Sequence, residues 1–227
     1  MSQIQFTRFN YLPPVIKNLL IINGLVYLAT FTFPELKETL ALHYPSTPEF
    51  RPYQIVTHMF THENFAHVFF NMFSLWMFGA VLENVWGPKR FLQYFLITGL
   101  GAALCFTAYH AYEVYQSVGT IFPSSSITDT PLRWNVNGLN YSAVGASGAI
   151  YGILVGFGLL FPNTLIYIYF LLPIKAKYLV IILIAYELYT GFINDPNDNV
   201  AHFAHLGGAL IGFIMIKYWQ KNSRRFY

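Results

Sequence analysis

Charge is scarce in this sequence. Asp, Glu, Lys and Arg make up 10% of its 227 residues, against about 25% in a soluble domain. The formal net charge is +3, and the basic residues are spread over connecting segments rather than gathered in one patch. That excludes the electrostatic footprint of a nucleic-acid-binding surface. Cysteine occurs once, at Cys105 inside an apolar run, so neither a disulfide framework nor a thiolate metal cluster is available. No repeat and no linker divides the chain into parts. What the sequence has in quantity is apolar surface. Hydrophobic residues are 55% and aromatics 19%, a composition suited to lipid rather than water as the solvent.

Six apolar runs approach the ~20 residues that cross a bilayer core. They cover residues 15–33, 67–86, 90–110, 146–162, 177–193 and 201–219. The pattern predicts an all-α polytopic membrane protein: a cytoplasmic segment 1–14, a membrane domain 15–219 and a basic cytoplasmic tail 220–227. The first run follows Pro13-Pro14 and is long enough to stay in place as a spanning helix, so no cleaved leader is expected. Residues 34–66 are too polar to span and are expected partly in the interface, where aromatics are favoured. Gly87-Pro88-Lys89-Arg90 predicts a tight turn, and 111–140 a long polar loop. Residues 164–176 are apolar but interrupted by Pro173 and Lys175. They read either as a surface-lying segment or as part of a longer tilted span. Asn194 to Asn199 reads as a short acidic loop.

Six spans put both termini on one side, and charge says which. With the N-terminus inside, the inner segments hold Arg8, Lys17, Lys89, Arg90, Lys175, Lys177, Lys217, Lys221, Arg224 and Arg225. The outer ones hold only Lys37, Arg51 and Arg133. This positive-inside bias predicts an N-in, C-in topology. It places His67 and Asn71, Ser147, and His205 at similar depth near the outer ends of the second, fourth and sixth runs. Polar residues at that depth are costly unless they face the bundle interior or water.

Their chemistry is that of acyl transfer. Ser147 is a weak nucleophile alone, and His205 has the proton affinity of a general base. No acidic residue lies near His205 in sequence, Asp195 and Asp198 belonging to the preceding loop, so a dyad is favoured over a triad. Tyr151, one helical turn below Ser147, is placed to stack on His205 and orient it. His67 and Asn71, at i and i+4, share a helix face. With the Ser147 amide they make three donors for an oxyanion. Gly145 and Gly148 keep the surroundings of Ser147 small. Gly148, Gly152 and Gly156 form a small-residue stripe that predicts close packing against Gly208 and Gly212. His58 and His62 are expected to line a wet entrance. A metal site on His58, His62 and His67 is disfavoured, because no carboxylate or thiolate set joins them. No cofactor is expected. Each residue alone also has a structural reading: a packing serine, a core tyrosine, a hydrogen-bonding histidine. His202 and Ser142 are read as structural, and Glu83 as a carboxylate bonding backbone or loop groups beside Gly87.

Taken in order, His67-x-x-x-Asn71, Glu83-x-x-x-Gly87, Gly145-Ala146-Ser147-Gly148 with Tyr151, and Ala204-His205-x-x-Gly208-x-x-x-Gly212 resemble the rhomboid intramembrane serine proteases. The resemblance runs from about residue 15 to 219. Phe50-Arg51 looks like the family's Trp-Arg element, with Phe in place of Trp, and the segment between spans three and four is longer than in the family's minimal form. The resemblance implies the six-helix rhomboid bundle, a Ser147–His205 dyad, an oxyanion site of His67, Asn71 and the Ser147 amide, and transmembrane-protein substrates cut near the outer ends of their helices. It also implies lateral substrate entry past spans two and five. The expected location is a cell membrane of the bacterial inner-membrane kind, with the site facing the extracytoplasmic side. The alternative is a catalytically silent relative that binds client helices. A transporter built on intramembrane histidines is disfavoured, because the ionisable residues cluster at one side.

Overall fold

The computed structural model describes residues 9–129, 132, 135–168, 171–193 and 200–222. The expectations resting on Arg8, Arg133, the 194–199 loop, Arg224 and Arg225 lie outside the described residues. Helix α1 spans Pro14–Thr32. Its first residue is a proline, which has no N–H to leave unpaired. The next two amides, of Val15 and Ile16, donate to Oε1 and Oε2 of Glu83, each at 2.9 Å. Glu83 is thus an N-terminal cap supplied from another helix. The sequence placed its partners beside Gly87, but only its own carbonyl accepts there, from the Gly87 amide. Because Glu83 is 2% exposed, Glu83→Ala strands two amides. It is expected to cost about 2–3 kcal/mol, read as a lower unfolding temperature in detergent; an unchanged temperature would contradict the capping role.

Short helices α2 (Glu35–Leu40) and α3 (Gln54–Thr57) and a 3-10 turn (His58–Phe60) build the segment after α1. Gln54 holds it together. Its amide nitrogen donates to the carbonyls of Thr39 and Glu49, and its oxygen accepts from the Arg51 amide. The second long element is composite: α4 (Phe65–Ser74), a π-helical stretch (Leu75–Gly79) and α5 (Ala80–Trp86). Asn64 caps α4 by accepting from the His67 amide. Gly87, with φ of 79°, makes the reversal into α6 (Pro88–Val118), a backbone angle that glycine takes without steric cost.

Helix α6 has 31 residues, about 46 Å long. It runs through residues 111–118, which the sequence suggested were loop. Nothing there breaks a helix until Gly119, whose left-handed φ of 75° terminates it. The connector that follows carries α7 (Ser125–Thr128) and is stitched to the α1–α4 segment. The Tyr44 hydroxyl donates to the Ile121 carbonyl at 2.7 Å. Leu42 and Ala143 exchange two backbone hydrogen bonds of 2.9 Å, and the Gly145 amide donates to the His58 carbonyl at 2.8 Å.

Helix α8 (Ser147–Leu160) ends as expected at Phe161-Pro162. Two short strands then correct the all-α expectation. Strands β1 (Leu165–Ile168) and β2 (Leu172–Lys175) form an antiparallel hairpin, with Leu165 opposite Lys175. The run is rich in residues that favour strands, and Pro173 bars a helix through it. Helices α9 (Ala176–Ile193) and α10 (His202–Asn222) complete the bundle.

By length and composition, four of these units can cross a membrane: α1, the composite Phe65–Trp86, α6 and α9. Helix α8 is shorter, at 14 residues, and packs at the centre between α6 and α10. Its glycine stripe makes this possible. A Cβ at Gly208 would fall on the Gly148 carbonyl, and one at Gly212 would lie 2.9 Å from the Gly152 Cα. On the other side, a Cβ at Gly152 would lie 2.6 Å from Thr98, and the Tyr94 hydroxyl donates to the Gly152 carbonyl at 2.7 Å. The stripe therefore serves two neighbours, where the sequence suggested one.

Candidate active site

Ser147 is the first residue of α8, where backbone amides lack intrahelical acceptors. The chain reaches it through Gly145, whose φ is 120°. A Cβ there would lie 2.7 Å from Nε2 of His67 and 3.5 Å from Nδ2 of Asn71. Only glycine lets the backbone turn left-handed against those two side chains. The geometry thereby brings His67 and Asn71, one turn apart on α4, to the approach to Ser147. Asn71 is 7% exposed, and its Nδ2 has no partner among the described residues.

From the other side α10 brings His205. Its Nε2 lies 2.8 Å from the Ser147 Oγ. Its ring stacks on Tyr151, with centroids 4.5 Å apart and planes 10° from parallel. Gly148, next to Ser147, meets Ala102 of α6, so the start of α8 is held on two sides. The residues singled out in the sequence thus fall into two groups flanking Ser147: His67, Asn71 and Gly145 on one side, Tyr151 and His205 on the other.

One residue of this cluster escaped sequence reasoning. Glu187 of α9 is 3% exposed. Its Oε1 lies 3.0 Å from Nδ1 of His205 and accepts from the Tyr151 hydroxyl, while its Oε2 lies 2.6 Å from Nδ1 of His202. His202 also meets the Thr190 hydroxyl at 3.0 Å. The signal was present: Glu187 is the single acidic residue in an otherwise apolar run, and such a residue in a membrane helix needs an interior partner.

His58 and His62 do not line an open mouth. They are 5% and 1% exposed. His58 hydrogen-bonds the Gln54 carbonyl through Nδ1 at 2.9 Å. The His62 ring meets His67 edge-on, 5.0 Å between centroids. Burial pushes His58 down to about 4. Burial, and then the neighbouring charge of His67, pushes His62 down to about 3. Both are therefore neutral at ordinary pH and act as packed, uncharged supports behind Gly145 and His67. Among the described residues no group of three His, Cys, Asp or Glu side chains is arranged to hold a metal ion.

The Rhomboid domain profile matches residues 49–221, most of the chain and all of the clustered residues. The rhomboid protease AarA of Providencia stuartii is 33% identical over 164 residues, covering 69% of this chain and 52% of that protein. The putative rhomboid protease YdcA of Bacillus subtilis is 29% identical over 177 residues, covering 77% and 71%. The mitochondrial RHOMBOID-like protein 12 of Arabidopsis thaliana is 29% identical over 176 residues, covering 78% and 49%. The match thus spans about half the length of two of these relatives. With its apolar helices and a profile match across most of its length, the chain is a multi-pass membrane protein and belongs to the rhomboid family.

Proposed function

We propose that this protein is an intramembrane serine endopeptidase that hydrolyses peptide bonds in or near the transmembrane helices of other membrane proteins. The observation that carries the reading is the 2.8 Å approach of Ser147 Oγ to His205 Nε2, at a helix N-terminus beside the unpartnered Asn71 amide. Ser147 Oγ attacks the scissile carbonyl carbon as His205 Nε2 takes its proton. The carbonyl oxygen becomes an oxyanion, held by the Ser147 amide and by the Asn71 and His67 side chains. Collapse breaks the C–N bond, and His205 returns the proton to the departing amine. Water then attacks the acyl-serine with His205 again as base; the C–Oγ bond breaks, His205 returns the proton to Ser147 Oγ, and the carboxylic acid product leaves.

The protein crosses the membrane six times in this account, with both termini inside, as the charge distribution supports. Helix α8, at 14 residues, is about 21 Å long, against about 30 Å of hydrocarbon. With its lower end at the inner interface, Ser147 lies below the outer surface yet within reach of extracytoplasmic water. The similarity to AarA and YdcA, both from bacteria, favours a bacterial inner membrane as the location, while the mitochondrial relative points to an organellar membrane as the other reading. The test is reconstitution in liposomes with a single-span substrate, its products identified by mass spectrometry. Two fragments meeting near the outer end of the substrate helix are expected. Substrate that co-purifies with the protein and is recovered uncut would favour a client-binding role instead.

A further inference from the structure

We propose that Glu187 is a positioning residue for His205, so that the serine–histidine pair works as a Ser147–His205–Glu187 triad in which the carboxylate orients the imidazole. This rests on the protease reading above and deepens it. Glu187 lies on α9, whose only other buried residues are Ala176 and Gly191. Leu179, Val180 and Leu183 pack half-buried against the core, and Glu187 is the one acidic side chain that this helix carries to the reaction centre.

Both carboxylate oxygens are engaged. Oε2 lies 2.6 Å from Nδ1 of His202, which keeps the group from rotating. Oε1 accepts from the Tyr151 hydroxyl and lies 3.0 Å from Nδ1 of His205. The two groups that define the His205 ring, the tyrosine stacked on its face and the acceptor beside its far nitrogen, are therefore fixed to one another. The chemistry explains why this matters. To take the Ser147 proton, Nε2 must be bare, so the neutral ring must carry its proton on Nδ1. An ionised carboxylate only accepts, so Oε1 favours that tautomer and opposes the other. It also faces the positive charge that appears on the imidazole once the serine proton arrives. In the resting geometry Nδ1 lies 3.0 Å from Oε1 but makes no hydrogen bond among the described residues. A small ring rotation closes the contact, as catalytic hydrogen bonds often tighten on the way to the transition state. No proton passes to Glu187; it stays ionised.

A purely structural tie between α9 and α10 would move stability but neither tautomer nor rate. The test uses the full chain in detergent. In wild-type protein labelled with 15N-histidine, the His205 signal, assigned by its loss in His205→Gln, is expected to show the Nδ1–H tautomer. An Nε2–H tautomer would overturn the proposal, and because this uses wild type it decides even if a Glu187 variant fails to fold. The rate of labelling by a fluorophosphonate is expected to fall about a hundredfold in Glu187→Gln, with Glu187→Asp restoring part of it. An equal rate in wild type and Glu187→Gln would overturn the proposal. A wild type that does not label would be a different failure: the protease reading itself would fall, and the positioning role with it.

Discussion

Ser147→Ala is expected to lower cleavage of a transmembrane substrate by at least about 10³-fold, with His205→Ala matching it and the double variant no worse. The reason is geometric. With Oγ 2.8 Å from Nε2, the two side chains form one machine in which neither works alone. Without the base the serine holds its proton; without the serine the base has nothing to activate. Residual turnover, if any, comes from the oxyanion donors acting on water, and these are untouched in all three variants. The Ser147 hydroxyl meets His205, so Ser147→Ala is expected to fold normally, whereas His205→Ala removes a ring stacked on Tyr151 beside buried Glu187 and is expected to lose some stability. Kinetics should be read beside unfolding temperatures. Losses that multiply in the double variant would mean that the residues act separately, and the account would fail.

Gly208→Val is expected to prevent the bundle from forming, or to separate α8 and α10 far enough to abolish activity. A Cβ at this position falls on the Gly148 carbonyl, which is backbone and cannot rotate away. Overpacking of an ordinary core costs about 1–3 kcal/mol, and a branched side chain pressed onto a carbonyl exceeds that. The effect is also functional, since Gly208 lies one turn from His205 and Gly148 adjoins Ser147. Any separation of the helices lengthens the contact between the two reacting groups. Gly24 is the control. A Cβ there meets nothing within 4 Å, so Gly24→Ala is expected to be neutral or to stabilise α1 by about 1 kcal/mol. Comparison of the two in a thermal unfolding assay reads the difference. A Gly208→Val protein with wild-type stability and activity would contradict the packing described for α8 and α10.

Much of this was legible in the residues. Gly148, Gly152 and Gly156 recur at helical spacing, and so announce a helix that another backbone can approach. His67 and Asn71, four apart, announce a shared face. The reversal at Gly87-Pro88 was readable because both residues have strong backbone preferences. What was not legible depended on contacts between distant segments. Glu83 reads as a carboxylate bonding backbone or loop groups beside Gly87, but its partners, the first amides of α1, are some 67 positions away. Glu187 was missed because its partners, Tyr151, His202 and His205, come from two other helices, and local sequence around His205 contains no acid. Residues 111–118 look polar enough for a loop, yet they contain no Gly or Pro, and the helix runs on to Gly119. The hairpin at 165–175 was obscured because a short apolar run reads equally as helix or strand.

The most direct test of the central claim, that Ser147 is a nucleophile activated by His205, is labelling of the intact protein with a fluorophosphonate, followed by peptide mapping. The account predicts one adduct, on the peptide containing Ser147, formed by wild type and lost in His205→Ala. An adduct on a different serine, or equal labelling of Ser147 without His205, would contradict it.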